Sequence, residues 1–184
     1  MQTIPLSQRK YDIFFIVMFF TMMCIAALID SVSGLGPMGR NGQYGVTKAY
    51  LSEAIWPPAP CIQAVLDWCE ENDPVFCYNP PWMKIMALVS FVFYLPFYIF
   101  AIYAFVFGRN WIRPWGLMYA WGMFYTLTII LVEEYCGEVA SPQYTKVFLA
   151  NVLYWIFPLI LMIRLRSPAP FSRPANPASS KKSS

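Results

Sequence analysis

Three carboxyl side chains lie at the ends of long apolar runs, where a membrane-spanning helix is expected to stop. Asp30 closes the first run, and Glu133 and Glu134 close the third. The carboxyl end of a helix carries partial negative charge, so an acid there is unfavourable unless a cation or a hydrogen-bond donor meets it. Several carboxyl groups close together also resist ionisation unless a cation joins them. These acids predict either solvated helix ends or a site for a ligand with an amine or a hydroxyl group.

Other polar side chains fall at a similar depth within the apolar runs. Ser90 lies about two helical turns inside the second run, and Asn151 lies about one turn inside the fourth. Tyr125 and Thr128 lie about one to two turns before Glu133. A polar group within a span is costly unless it faces a cavity or a partner, although a hydroxyl group can instead bond back to its own helix. The shared depth predicts that these groups converge in one half of a helical bundle.

Prolines inside the second and fourth apolar runs predict kinked helices. Pro96 and Pro158 each remove one helical hydrogen bond and leave the carbonyl four residues earlier without its usual donor. Kinked helices in a small bundle leave space between them, and we expect an aromatic lining. The candidates are Phe91, Phe93, Tyr94, Phe97, Tyr103, Trp121, Phe124, Tyr154 and Trp155. An aromatic cavity with acids at one end suits an elongated apolar ligand with one hydroxyl or amine, such as a sterol or a cationic amphiphile.

The composition places these residues in a membrane protein. Hydrophobic residues make up 58% of the 184-residue chain and charged residues 12%, which is more apolar than a soluble domain of this size requires. Four runs are long enough to cross a hydrocarbon core of roughly 30 Å at about 1.5 Å per residue. They cover residues 11–29, 83–107, 115–132 and 147–163. We predict an all-α membrane protein with a bundle of four transmembrane helices.

Basic residues predict the orientation of the bundle, because Lys and Arg beside a span are retained on the cytoplasmic side. Nine of the thirteen basic residues flank one side of the predicted membrane, and nine of the ten acids lie on the other. Both termini are therefore predicted to be cytoplasmic, and the long loop 31–82 to be lumenal. The net charge of +3 forms no basic patch that would suggest a nucleic-acid partner.

The long loop 31–82 is predicted to contain one short amphipathic helix, because the run CIQAVLDWCEEN places apolar residues at helical intervals. Four cysteines fall on this side of the membrane: Cys61, Cys69, Cys77 and Cys136. In an oxidising lumen they allow three pairings. A bond between Cys61 and Cys69 is excluded within one helix, because their separation along its axis is about 12 Å. Four free thiols are the alternative.

We divide the chain into a cytoplasmic N-terminus (1–10), a transmembrane domain (11–166) and a flexible cytoplasmic tail (167–184). The tail is rich in Pro and Ser and too poor in apolar residues to fold alone. Its last four residues, KKSS, have lysines at the third and fourth positions from the end, the pattern of a cytosolic signal for retrieval to the endoplasmic reticulum. The predicted location is therefore the endoplasmic-reticulum membrane.

The sequence also resembles the EXPERA-domain family, and within it the sigma-2 receptor branch. The resemblance covers residues 11–168 and is carried by NDPVFCYNPPWMKIMALVSFVFYLPFYIFAIYAFVFGRNWIRPWGLMY, by LID in the first run and by IFPLILMIRLRSP in the fourth. It implies a four-helix endoplasmic-reticulum protein that binds sterols and cationic drug-like amines in a buried pocket. Asp30 and Asp73 look like the two aspartates important to binding in that branch, one pairing with the ligand amine and the other supporting it.

The resemblance completes the set of candidate ligand-binding residues. They are Asp30, Asp73, Ser90, Tyr94, Glu134, Asn151 and Tyr154. Ser90 departs from the family, which carries a buried glutamate at that position. We expect Asp30 and Asp73 to face one cavity, with Glu134 and Asn151 near its lumenal rim.

A related branch, the emopamil-binding protein, is a sterol delta-8 to delta-7 isomerase, whose chemistry needs a general acid and a general base. This sequence has no histidine, and Ala26 and Ala87 occupy positions that resemble those of a histidine and a catalytic glutamate in the isomerase. Asn151 and Glu134 do match that branch. We therefore predict a binding protein with no catalytic residue, metal or cofactor. The alternatives are a sterol isomerase, or a structural accessory subunit of a larger membrane complex, for which another organelle's membrane is also open.

Overall fold

Four membrane-spanning helices dominate the computed structural model, which describes residues 2–173. The spans are Asp12–Leu35, Pro81–Phe107, Ile112–Cys136 and Tyr144–Arg164, and each is long and apolar enough to cross a membrane. The predicted all-α bundle of four spans is confirmed. The chain is a multi-pass membrane protein.

Short turns and helices divide and connect these spans. In chain order the helices are α1 (Asp12–Ile25), α2 (Ser31–Leu35), α3 (Lys48–Glu53), α4 (Ala59–Glu71), α5 (Pro74–Tyr78), α6 (Pro81–Val89), α7 (Leu95–Phe107), α8 (Ile112–Cys136) and α9 (Tyr144–Arg164). One π-helical turn, Ala26–Asp30, joins α1 to α2, and a second, Ser90–Tyr94, joins α6 to α7. A 3-10 helix, Leu6–Gln8, precedes α1. Two short strands, β1 (Gln2–Thr3) and β2 (Ser172–Arg173), pair antiparallel.

The first span differs from the prediction at the end that leads into the long loop. We placed the end of its helix at Asp30, but the helix continues for another five residues through α2. Two hydroxyl groups support this extension, because Ser31 Oγ donates to the Ala27 carbonyl at 2.7 Å and Ser33 Oγ donates to the Phe76 carbonyl at 3.1 Å. Asp30 therefore lies inside the span, and the argument from the negative end of the helix dipole is wrong.

The long loop folds over one end of the bundle, which we call the loop end. It forms three helices, α3 to α5, of which α4 is the predicted amphipathic helix. Ile62, Val65 and Leu66 on one face of α4 are buried in a cluster with Val32 and Val46. This packing covers the end of the first span with apolar side chains, whose burial is favourable wherever water would otherwise reach them.

A disulfide bond joins Cys69 in α4 to Cys77 in α5, with Cα atoms 5.8 Å apart. The sequence left the pairing open. Cys24, Cys61 and Cys136 carry free thiols. The bond holds α5 against α4 just before the second span begins.

The main core lies in the other half of the bundle and is built around Phe19, which is fully buried. Its ring centroid lies 5.4–6.2 Å from five other aromatic rings. These belong to Phe97, Tyr98, Phe105, Tyr119 and Phe157. Edge-to-face and tilted pairs of this kind add to the energy of area burial. The aromatic core fixes the first, second, third and fourth spans relative to one another.

Residues 2–11 and 165–173 lie together at the opposite end, which we call the terminal end. Phe171 is fully buried there, and the guanidinium carbons of Arg9 and Arg164 lie 5.0 and 4.8 Å from its ring centroid. We predicted a flexible tail from residue 167, but residues 167–173 pack against the bundle because one aromatic side chain anchors them. The remainder of the predicted tail, including KKSS, lies outside the described residues.

Asp12 is the centre of an ion cluster at the terminal end. Arg9 Nη1 donates to its carboxylate, and Arg164 donates through Nε at 2.6 Å and through Nη2 at 2.9 Å. The Asp12 side chain is only 1% exposed. Arg9 also donates to the carbonyls of Ile4 and Phe105. The cluster thereby fastens the N-terminal segment to the first, second and fourth spans.

Replacing Asp12 with Ala is expected to lower the free energy of unfolding by about 3–5 kcal/mol, because two arginines would lose their shared carboxylate in a buried site. Denaturant unfolding of the purified protein in detergent micelles measures the change. Asp67→Ala is the matched control, because within residues 2–173 this exposed carboxylate accepts only a bond from Gln63 on its own helix. It should shift the value by no more than about 0.5 kcal/mol. Equal effects of the two substitutions would contradict the structural role of the cluster.

Candidate functional site

A cavity of about 440 Å³ lies between the spans in the loop half of the bundle. Its wall comes from all four spans and from α4, and most of the lining side chains are apolar. The polar residues on the wall are Asp30, Asp73, Ser90, Tyr94, Thr126, Asn151 and Tyr154. Six of the seven predicted ligand-binding residues are among them.

The two π turns bring a carboxylate and a hydroxyl group together on this wall. Asp30 is the last residue of the first π turn, and Ser90 is the first residue of the second. Ser90 Oγ donates to Asp30 Oδ2 over 2.5 Å. A π turn adds one residue to a helical turn and changes which side chains face inward, which is why such turns are frequent at functional sites.

Pro96 gives a physical reason for the second π turn. It lies in the first turn of α7, directly after the π segment, and it has no N–H group to donate to the preceding turn. The sequence predicts a kink at this proline. In the structure the backbone widens into the i→i+5 pattern before the proline, and that widening places Ser90 opposite Asp30.

Asp73 lines the cavity from the loop side and also has a structural role at the start of α5. Its Oδ1 accepts a hydrogen bond from the backbone N–H of Phe76 at 3.2 Å, so it caps the N-terminus of α5. The residue is buried. Asp30 and Asp73 both line this cavity, and their binding roles stay predictions. We did not predict the helix that Asp73 caps, because the run NDPVFCYNPPW is too short for a periodic pattern.

Glu134 is the one candidate that does not lie on the cavity wall. Its side chain is 1% exposed, and neither carboxyl oxygen has a hydrogen-bond donor among residues 2–173. Its ionisable neighbours are Asp73 and Glu133, which are also acids. Glu134 therefore lies beside Asp73, outside the space that a ligand in this cavity would fill.

The other polar groups of the spans are satisfied largely by their own helices. Asn151 Nδ2 donates to the Val147 carbonyl at 2.9 Å, although the residue also lines the cavity. Thr128 Oγ1 donates to the Phe124 carbonyl at 2.7 Å and accepts from Trp155 Nε1 at 2.9 Å. Thr128 therefore bonds back to its own helix, which is the alternative that we gave for hydroxyl groups in spans. Ser90 differs because it bonds to another span.

The predicted aromatic lining is largely wrong. Of the nine aromatic candidates, only Tyr94 and Tyr154 line the cavity. Phe93, Tyr103 and Trp121 are exposed on the outside of the bundle, which is the surface that a membrane covers. Aromatic side chains in spans serve packing and lipid contact as well as ligands, so their presence alone does not locate a cavity.

Four methionines contribute to the wall instead, and we did not predict them from the sequence. They are Met22, Met83, Met86 and Met123. Helical spacing of Met83, Met86, Ala87 and Ser90 could have identified one shared face of the second span. Methionine is unbranched and polarizable, so it adapts to ligands of different shapes.

No basic side chain lines this cavity among the described residues, whereas two carboxyl groups do. The field inside therefore favours a cation or a hydrogen-bond donor. The arrangement can hold an apolar body among methionine, isoleucine and aromatic side chains and receive a single polar group at Asp30.

Comparison with known proteins agrees with the fold. A family model described as EXPERA (EXPanded EBP superfamily) matches residues 45–165. Sigma intracellular receptor 2 of Homo sapiens is 32% identical over 137 residues, covering 66% of this chain and 77% of the receptor. Sigma intracellular receptor 2 of Macaca fascicularis gives the same identity and coverage.

Replacing Ser90 with Ala is expected to destabilise the ligand-free protein by about 1.5–3 kcal/mol, because the donor to the Asp30 carboxylate is lost. Unfolding of the protein in nanodiscs without added ligand measures this. Ser52→Ala is the control, since among the residues that the structure describes that exposed hydroxyl bonds only to the Ala49 carbonyl of its own helix. A Ser90→Ala protein as stable as the control would show that the bond between the two π turns contributes nothing.

Proposed function

We propose that this chain, which belongs to the EXPERA family, binds sterols or cationic amphiphiles in the cavity between its membrane spans. Both related proteins carry the word receptor in their names, which supports a binding role. The observation that carries the proposal is the cavity itself, about 440 Å³ in volume, apolar over most of its wall and acidic at two positions. That volume lies in the usual range for sites of drug-sized ligands, roughly 300–1,000 Å³.

Asp30 is the proposed partner of the ligand's polar group. One of its oxygens accepts the bond from Ser90, and the other has no hydrogen-bond partner among residues 2–173. An ammonium group placed there would form a charge-assisted hydrogen bond, and a sterol hydroxyl would donate a weaker one. Asp73 adds negative charge to the same space while it holds α5 in position.

The proposed location is the endoplasmic-reticulum membrane, with both termini in the cytoplasm and the loop end in the lumen. The disulfide between Cys69 and Cys77 supports this orientation, because disulfides persist in the lumen and are rare in the cytosol. The distribution of basic residues supports the same orientation independently.

Asp30→Asn should weaken binding of a long-chain tertiary amine by about 1.5–3 kcal/mol, because the amide cannot pair with an ammonium charge. Binding of radiolabelled cholesterol should change by about threefold or less, since the amide oxygen still accepts a hydrogen bond. Equilibrium binding of both probes to the purified protein in nanodiscs separates the two ligand classes.

Asp67→Asn is the matched control for this experiment, because it removes the same charge from an exposed position outside the cavity. Ligand-free unfolding of Asp30→Asn should remain close to that of the original protein, because the amide still accepts from Ser90. Failure of both probes to bind the unchanged protein would refute the proposed function and favour a structural role in a larger membrane complex.

We further propose that the protein does not isomerise sterols. Isomerisation moves a proton on and off two carbons, so it needs a correctly placed acid and base. Ala87 lines the cavity at a position that resembles that of the isomerase glutamate, and Ala26, at a position that resembles that of the isomerase histidine, is buried in the core cluster that contains Phe19. Expression in a yeast strain that lacks the delta-8 to delta-7 isomerase should not restore growth or ergosterol synthesis. Restored growth in that strain, compared with the same strain carrying an empty vector, would overturn this assignment.

A further inference from the structure

We infer that the terminal end of the bundle carries a second site, which binds the phosphate headgroup of an anionic phospholipid. This site is independent of the proposed function, because its lining residues and those of the loop-end cavity form separate sets. A cavity of about 430 Å³ lies there between the N-terminal segment, α1, α9 and β2.

The charges on the wall of this second cavity do not balance. Three arginines, Arg9, Arg164 and Arg173, face one acid, Asp12. Three positive charges less one negative charge leave an excess of two. An anion is the natural complement of such a wall, and guanidinium groups match phosphate oxygens in both charge and planar geometry.

The ion pairs within the cluster neutralise only part of this positive charge. Both oxygens of Asp12 are already occupied by Arg9 and Arg164. Arg164 Nη1 donates to the Pro170 carbonyl at 3.0 Å, which stabilises the cation without neutralising it. Arg173 is exposed, and its side chain forms no hydrogen bond or ion pair within residues 2–173. A free guanidinium therefore lies beside a cluster that is already positive.

The apolar part of the wall indicates that the anion belongs to a lipid. Tyr11, Ile160 and Ile163 line the same cavity. Tyr11, directly before the first span, is 88% exposed, and Ile163 in the fourth span is 63% exposed. Acyl chains pack against apolar surface of this kind in a membrane. Basic pockets between transmembrane helices are known to receive anionic lipid headgroups. Free phosphate would use the arginines but would gain nothing from the apolar wall.

The test uses the full-length protein in detergent, titrated with dioctanoyl phosphatidate, dioctanoyl phosphatidylcholine or inorganic phosphate and followed by native mass spectrometry and by thermal unfolding. Phosphatidate should bind and raise the melting temperature, whereas phosphatidylcholine and inorganic phosphate should bind at least about tenfold more weakly. Arg173→Gln should weaken phosphatidate binding on the order of fivefold, the expected effect of one basic residue near a headgroup. Arg173→Lys should bind phosphatidate more tightly than Arg173→Gln but more weakly than the original protein, because the charge is kept while the planar guanidinium is lost.

Arg109→Gln is the matched control, since it removes one exposed positive charge from the same end of the bundle but lies outside the cavity. It should leave phosphatidate affinity unchanged. Equal affinity of the original protein, Arg173→Gln and Arg109→Gln would overturn the site. Inorganic phosphate binding as tightly as phosphatidate would overturn the lipid assignment, and phosphatidylcholine binding equally well would show that charge is not recognised.

Discussion

The hydrogen bond between Ser90 and Asp30 is the interaction on which the candidate binding site depends. A hydrocarbon core offers no water to satisfy polar groups, so a carboxylate within a span must find its partners inside the protein. Ser90 supplies one partner at 2.5 Å. Each of the two residues lies in a π turn, where the helix widens and its side chains rotate relative to a regular α-helix. The remaining oxygen of Asp30 is then available to a ligand.

The cavities at the two ends of the bundle are lined by net charges of opposite sign. At the loop end, Asp30 and Asp73 line an apolar cavity that has no basic side chain within the described chain. At the terminal end, Arg9 and Arg164 bond to Asp12, and Arg173 lines the same cavity. The aromatic core around Phe19 lies between them and keeps the two groups of charges apart. The interior of the bundle has a low dielectric constant, so charges there attract each other strongly. The separation prevents the acids of one end from pairing with the arginines of the other.

The loop helices complete the cavity as well as covering it. Residues of α4 form part of the wall, the disulfide ties α4 to α5, and Asp73 caps α5 while facing the cavity. In the proposed function, binding and the fold of the loop would therefore be linked through Asp73, because a ligand near this carboxylate would also act on the cap of a five-residue helix. Such a short helix has little stability of its own.

The sequence by itself determined the class of protein, the number of spans, the presence of Ser90 and Asn151 within them, and the family. These properties follow from the length and hydropathy of consecutive residues and from motifs that lie within single segments. The tertiary structure decided which faces meet: the π turns, the pairing of Cys69 with Cys77, the methionine wall, the exclusion of Glu134 from the cavity and the anchoring of residues 167–173 by Phe171. Each of these depends on the rotation of one helix against another or on contacts between residues far apart in the chain. Hydropathy does not encode that rotation when a helix is apolar on every side.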